Sequence, residues 1–478
     1  MNQEPIMADL RDALTLLAAQ GEVPQICTRA LDLDGELMQD YVRRNGALTS
    51  SIYCDDQPLV RYTNVGCSRF PVLLGLFGSR RRNRLYLDPM NKAPTLSCGA
   101  LLRSALAQPI VPRFAQATTS RRHLGRPDLL RELPALRLSP KDPAPSITLG
   151  LVYATNALGT QSNCSFHRIC LWPDGGLTLW IAPNRHLDSL LQQALAREEE
   201  LPISINIGLA PSVYLAACCT EPDIGFGGDE LGVAGALHGV PIHTAPCASA
   251  PARYIDHAEI VIEGTLGRQT RAETREGAGN ISIPEYLGYR REAGQARVMH
   301  VSGLSFRENA LFQALSGPGK EQSEMLGISQ EVTVIGLLER SGFTLVRDVY
   351  CCASGGGNLT VVIQVDKNST SDDSLARAAA CAVAESIACV KHVYLVDQDV
   401  NLFSQADVMW AMATRFRADT DLTLLGPLRG TSFDPTQHAE YAGSLVTDGI
   451  VKCVFDCSVP FAQRSRFARA FSISEAWT

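Results

Sequence analysis

The chain has 478 residues, 45% hydrophobic and 19% charged, with a mean hydropathy of +0.00, a composition that supports ordinary packed cores in more than one domain. A net charge of −7 and an isoelectric point near 5.8 argue against nucleic acid as the partner. No apolar run reaches membrane-spanning length, and the N-terminal stretch lacks a basic leader and a cleavage site, so a cytoplasmic protein without a membrane partner is expected.

The opening stretch MNQEPIMADLRDALTLLAAQG reads as an amphipathic helix with Leu10, Leu14 and Leu17 on one face and a stop at Gly21. Up to residue 115, helical and short strand patterns alternate around Gly75, Gly78 and the run Arg80-Arg81-Arg82-Asn83-Arg84, which suits a small α/β domain whose arginines form a salt-bridged or interdomain surface in preference to a polyanion site. Proline and charge then crowd residues 116–145, as in a linker. Strand signals dominate residues 146–320 (SITLGLVYA, FHRICL, LTLWIA, ISINIGL, AEIVIEGTL, ARVMHVSGL), and their spacing suggests an antiparallel barrel. Beyond residue 330, TVIGLL, LTVVIQV, an Ala-rich stretch over 373–390 and HVYLVD read as a strand-helix-strand unit with a parallel sheet. The division expected is 1–115, 116–325 and 326–478, an α/β multidomain chain.

Fifteen cysteines are scattered, odd in number and twice adjacent (Cys218-Cys219, Cys351-Cys352), without a C-x-x-C, so they read as reduced, small apolar residues. Two glycine-rich stretches, 225–232 and 354–357, read as tight turns and not as dinucleotide loops, because neither links a clear strand to a helix in the required order.

Chemistry-bearing residues concentrate in the barrel segment. Asn163, Ser165 and Arg168 enter a strand over 167–171; residues 177–182 read as its antiparallel neighbour, and that hairpin brings Arg185 and His186 back beside Asn163. An Asn carbonyl, a neutral His and a Glu suit a hard divalent cation, so Asn163, His186 and Glu263 form a candidate metal set; satisfied polar residues at strand ends fit the same pattern. Arg168 in an apolar strand needs an anionic partner, which a substrate carboxylate or a structural glutamate could supply. Segment 271–289 offers Glu273, Glu276 and Glu285 in an irregular Gly-rich stretch, either as tuned proton donors or as an exposed acidic loop.

In order along the chain, N-x-S-x-x-R at 163–168, R-H at 185–186, IGLAPSVYLAA at 207–217, ELGVAGAL-x-G-x-P at 230–241, EIVIEG at 259–264, PEYLGY at 284–289 and KHVYLVDQDVNLFSQADVMWAMATRF at 391–416 resemble the UbiD family of reversible decarboxylases. Within it, PEYLGY and GFGGDELGVAGA are similar to the gallate and protocatechuate (hydroxyarylate) subgroup. The resemblance implies an N-terminal α/β domain, a central split β-barrel of flavin-reductase type and a C-terminal α/β domain used in oligomerisation, as a homodimer or homohexamer.

It also implies prenylated FMN supplied by a flavin prenyltransferase, with Mn²⁺ (or Mg²⁺) and K⁺ at its phosphate. Asn163, Ser165, Phe166, Arg168, Arg185, His186, Glu263 and Lys391 would contact the cofactor, with Asn163, His186 and Glu263 holding the metal. Arg168 and Glu285 carry over into the family's Glu-Arg-Glu network; its first glutamate is Glu276 by the E-G pair or Glu273 by the subgroup's spacing, and Glu273 is favoured. The reaction implied is loss of CO₂ from an aryl carboxylic acid, for which the cofactor is the electron sink, Arg168 the carboxylate partner and Glu285 the proton donor. An FMN-binding split-barrel oxidoreductase or a catalytically silent flavin-binding member remains the alternative.

Overall fold

The structure is a computed structural model and describes residues 7–45, 56–219, 222–274, 281–437 and 449–470. Its contacts divide the chain between Ser329 and Gln330 into two compact units.

The first unit is built on a curled nine-stranded sheet in which every ladder is antiparallel. Its order is Ser146–Ile147, Arg168–Leu171, Leu177–Trp180, Gln295–Phe306, Ile260–Ala272, Leu201–Ile207, Leu151–Thr155 and Ser162–Phe166, with Arg122–Gly125 added along Gln295–Phe306. The alternation of Ile203, Ile205 and Ile207 and of Ile260 and Ile262 puts these side chains on one face. There they form a buried core with Leu187, Leu190 and Leu191 of the helix His186–Ala196. The two longest strands slip register at Glu263/Gly264; a Cβ on Gly264 would meet the His300 carbonyl oxygen at 2.2 Å, so only glycine allows the strands this close.

Two sequence expectations change here. The proline-rich stretch 116–145 is more than a linker, since Arg122–Gly125 joins the sheet and Leu129–Glu132 forms a short helix. Asn163 and Ser165 do not lead into the strand of Arg168; they occupy a separate strand, Ser162–Phe166, paired with Leu151–Thr155 at the edge of the sheet.

The N-terminal helix Leu10–Ala19 is capped by Asp9 and buries Leu10, Ala13 and Leu17. Arg11 and Arg307 both pair with the fully buried Glu259, and Arg307 also bonds Asp9, which ties this helix to the sheet. The arginine run forms the helix Arg80–Leu87, where Arg82 is buried and donates to the carbonyls of Gly75 and Gln57, while Arg81 and Arg82 pair with Glu22.

The second unit holds a five-stranded sheet in the order Val346–Cys351, Thr360–Val365, His392–Asp397, Ile450–Asp456, Leu422–Leu428, with the three central strands parallel. The helix Asp372–Ser386 packs Ala376, Ala379, Ala380 and Val383 onto Val361, Ile363 and Val393. Gln405–Arg415 covers the opposite face through Val408 and Ala411 on Val362 and Val396. No helix among the described residues is long and apolar enough to cross a membrane.

Candidate active site

Arg168 opens the strand Arg168–Leu171, and its register partner across the hairpin is Trp180. Its Nε donates to both carboxylate oxygens of Glu273 at 3.1 Å, its Nη2 to Glu273 Oε2 at 2.7 Å and its Nη1 to Glu285 Oε1 at 3.0 Å. Glu273 follows the long strand Ile260–Ala272, and Glu285 lies in a turn closed by the bond from Gly288 N–H to its carbonyl. The two glutamates converge from distant parts of one stretch, so 271–289 is not simply an exposed acidic loop.

Glu273 is 1% exposed. Burial raises its pKa; the Arg168 charge opposes this, and Glu285 adds to the rise. Burial alone would lower the Arg168 pKa, but Glu273 and then Glu285 outweigh it and keep the guanidinium charged. Of its five N–H groups, the one on Nε and one on each terminal nitrogen are directed at the two glutamates. Glu276 lies outside the described residues.

Asn163 is buried on the edge strand Ser162–Phe166 and donates from Nδ2 to Ser165 Oγ at 2.6 Å. Ser165 Oγ meets His167 Nε2 at 2.7 Å, and His167 Nδ1 meets the Trp180 carbonyl at 3.2 Å. Phe166 stacks on Tyr214 with centroids 5.9 Å apart. Arg185 is the exposed N-cap of the helix His186–Ala196; His186 therefore begins a helix instead of ending a strand, and its ring packs edge-to-face against Phe226 at 5.5 Å.

Glu263 does not join this group. Asn163, Ala154, Ile203 and Gly264 are successive register partners, and so are Cys164, Tyr153, Ser204 and Glu263, so Asn163 and Glu263 project from opposite faces of the sheet. The Glu263 carboxylate instead accepts from Ser249 N–H at 2.7 Å and Ser249 Oγ at 2.8 Å. Glu259, four residues before Glu263, is committed to Arg11 and Arg307.

The carboxylate beside Asn163 is Glu230, which sequence reasoning had not singled out. The edge strand leaves the Cys164 N–H unpaired within the sheet, and Glu230 Oε2 accepts it at 3.1 Å; Asp229 Oδ2 accepts from Ser162 Oγ at 2.9 Å. Asp229 caps the helix Glu230–His238, so the glycine-rich stretch 225–232 leads into a helix. An Asp before an apolar run was the available signal. Burial raises the Glu230 pKa to about 8, with the Asp229 charge adding to it. Among the described residues, no group of three or more His, Cys, Asp and Glu gathers as a metal centre.

In the second unit, Lys391 precedes the strand His392–Asp397 and its Nζ donates to Asp434 Oδ2 at 2.7 Å and Thr436 Oγ1 at 2.5 Å.

Residues 113–320 match the 3-octaprenyl-4-hydroxybenzoate carboxy-lyase Rift-related domain, and residues 323–457 match the C-terminal domain of the same enzymes. Gallate decarboxylase of Lactiplantibacillus plantarum is 31% identical over 430 residues, covering 86% of each chain. The apo structure of a 3,4-dihydroxybenzoic acid decarboxylase from Enterobacter cloacae is similar with a TM-score of 0.89 and 31% identity over 98% of both chains. An evolved dimeric form of the UbiD-class enzyme HmfF from Pelotomaculum thermopropionicum, in complex with prFMN, shares the fold at a TM-score of 0.78 and 22% identity, over 98% of this chain and all of that one.

Proposed function

The chain belongs to the UbiD family of carboxy-lyases, and from that premise we propose that it reversibly decarboxylates a hydroxylated aromatic acid with prenylated FMN as electron sink. The observation that carries this reading is the Glu273-Arg168-Glu285 constellation, a half-buried guanidinium held by two carboxylates. Relatives acting on gallate and 3,4-dihydroxybenzoate support a ring-hydroxylated substrate.

Losing CO₂ from an aromatic ring leaves an electron pair that no side chain can delocalise, and prenylated FMN supplies the electrophilic centre for it when bound. Arg168 would receive the substrate carboxylate and fix the angle at which its carbon faces the flavin. Glu273 holds that guanidinium in place. Glu285 would carry the proton that replaces CO₂ on the ring carbon and recover it from solvent after product release.

A divalent cation, Mn²⁺ or Mg²⁺, would be held by Asn163, His186 and Glu230, where it would bind the cofactor phosphate, with K⁺ beside it. The buried, proton-hungry Glu230 and the carbonyl-bearing Asn163 fit the oxygen-rich donor set such a cation needs. Ser165, Phe166 and Arg185 complete the proposed cofactor contacts within the first unit. A flavin prenyltransferase would supply the cofactor, and a homodimer or homohexamer would be the working form.

The test is expression with and without a flavin prenyltransferase, followed by assay of CO₂ from 3,4-dihydroxybenzoate and gallate and by mass and absorption of the extracted flavin. CO₂ release that depends on the prenyltransferase is expected. Protein that carries no modified flavin after co-expression overturns the reading.

A further inference from the structure

Residues 163, 165 and 167 alternate along one extended segment, so their side chains fall on one side of it. They form an unbroken chain: Asn163 Nδ2 to Ser165 Oγ at 2.6 Å, Ser165 Oγ to His167 Nε2 at 2.7 Å, His167 Nδ1 to the Trp180 carbonyl at 3.2 Å. The carbonyl can only accept, so Nδ1 must carry a proton. Burial lowers the pKa of His167 to about 4, so near pH 7 the ring is neutral and Nε2 is left as an acceptor. Ser165 must then donate its one proton to Nε2, and its oxygen can only receive from Asn163. Every direction in the chain follows from the fixed carbonyl at its end.

We propose that His167, acting through Ser165, is a positioning residue that fixes the side-chain amide of Asn163 with Nδ2 turned inward and Oδ1 presented to the site. This rests on the reading of Asn163 as a cation ligand. Only the amide oxygen can bind a cation, and an isolated Asn side chain exchanges its oxygen and nitrogen by a half-turn. If Nε2 carried a proton, the Ser165 proton would be released from the ring and free to turn to Asn163, and nothing in the chain would hold the amide against the half-turn that presents its NH₂. His167 thus acts on the metal site without touching it, as hydrogen-bonded partners behind metal ligands do. Trp180 anchors both halves of the site, because its carbonyl ends this chain and its ring lies over Arg168.

The test compares His167→Leu with His167→Gln. Leucine removes both polar atoms, whereas a glutamine amide can donate to the Trp180 carbonyl and accept from Ser165. Mn²⁺ affinity, read by electron paramagnetic resonance of free ion in protein purified without prenylated flavin, is expected to fall about 10- to 100-fold in His167→Leu. In His167→Gln it is expected to stay within about threefold of wild type. In ¹⁵N-histidine-labelled wild type, the resonances missing from His167→Gln should show a protonated Nδ1 and an unprotonated Nε2. Wild-type affinity in the leucine variant, failure of glutamine to restore it, or a protonated Nε2 overturns the proposal. Wild-type protein that binds no Mn²⁺ would instead overturn the metal reading, while the ring-nitrogen spectrum still decides the direction of the chain.

Discussion

Arg168 and Trp180 are register partners across one hairpin, and the indole ring lies 5.2 Å from the guanidinium carbon. The approach of that indole depends on Gly294, where a Cβ would come within 3.0 Å of the Trp180 Nε1. Gly294 also accepts the main-chain N–H of Glu273, so backbone and ring are fixed around the same charge.

Replacing the indole tests that arrangement. A cation over an aromatic face contributes about 0.5–2 kcal/mol, and more of the range applies where water is excluded. Trp180→Leu keeps an apolar residue on the strand and is expected to lower kcat/KM about tenfold, with flavin content unchanged. Wild-type kcat/KM in this variant would show that the carboxylates alone position Arg168.

The three glutamates of segment 271–289 separate by role. Glu285→Gln removes the proposed proton carrier and is expected to cost about 10²- to 10⁴-fold in kcat. Glu273→Gln loosens the guanidinium. Because burial first, and Glu285 in addition, hold the Glu273 pKa above the ordinary carboxylate range against Arg168, ionisation of Glu273 should appear as an acid limb in the pH profile. Activity is expected to rise with pH through that raised pKa in wild type and to lose the limb in Glu273→Gln. Glu276→Gln is the comparison, expected to retain both rate and profile; loss of activity there would move the first glutamate of the network to Glu276.

Glu230 and Glu263 make opposite predictions for the metal. Removing a carboxylate ligand should weaken Mn²⁺ binding at least as much as losing an outer partner, by more than about 10- to 100-fold. Glu230→Gln is expected to do this. Glu263→Gln is expected to lower thermal stability through the loss of its Ser249 bonds while Mn²⁺ affinity is unchanged. Titration of both variants with Mn²⁺, alongside their melting temperatures, decides between them.

The architecture was legible because its signals are local: alternating apolar residues for the sheet, an Ala-rich stretch for the helix Asp372–Ser386, and the apolar face of Leu10 and Leu17 for the helix Leu10–Ala19. Arg168, as a charge in an apolar strand, announced a need for anionic partners, which the structure supplies as Glu273 and Glu285. What failed was facing. A period-two strand tells which residues share a face within one strand, but Asn163 and Glu263 lie three ladders apart, and only the registers between them reveal opposite projections. Glu230 was hidden because its helix was read as a turn, and His167 because its partners are a neighbour's hydroxyl and a carbonyl thirteen residues away.

The stability of the first unit should carry a pH signature from Glu321. This carboxylate is fully buried and accepts the main-chain N–H groups of Phe77 at 3.1 Å and Ser316 at 3.0 Å. Burial outweighs those bonds and raises its pKa from 4.5 to about 7. The folded state therefore binds this proton more tightly than the unfolded chain. Its contribution is fully present below pH 4.5 and is lost as pH rises through about 7, an effect of about 3 kcal/mol. Glu321→Gln cannot titrate and should be less sensitive to the same change. Urea unfolding of both proteins at pH 5 and pH 8 should show the wild type losing stability relative to the variant at the higher pH. A difference between them that is independent of pH would mean that Glu321 stays ionised in the folded protein, with its two N–H donors sufficient to hold the charge.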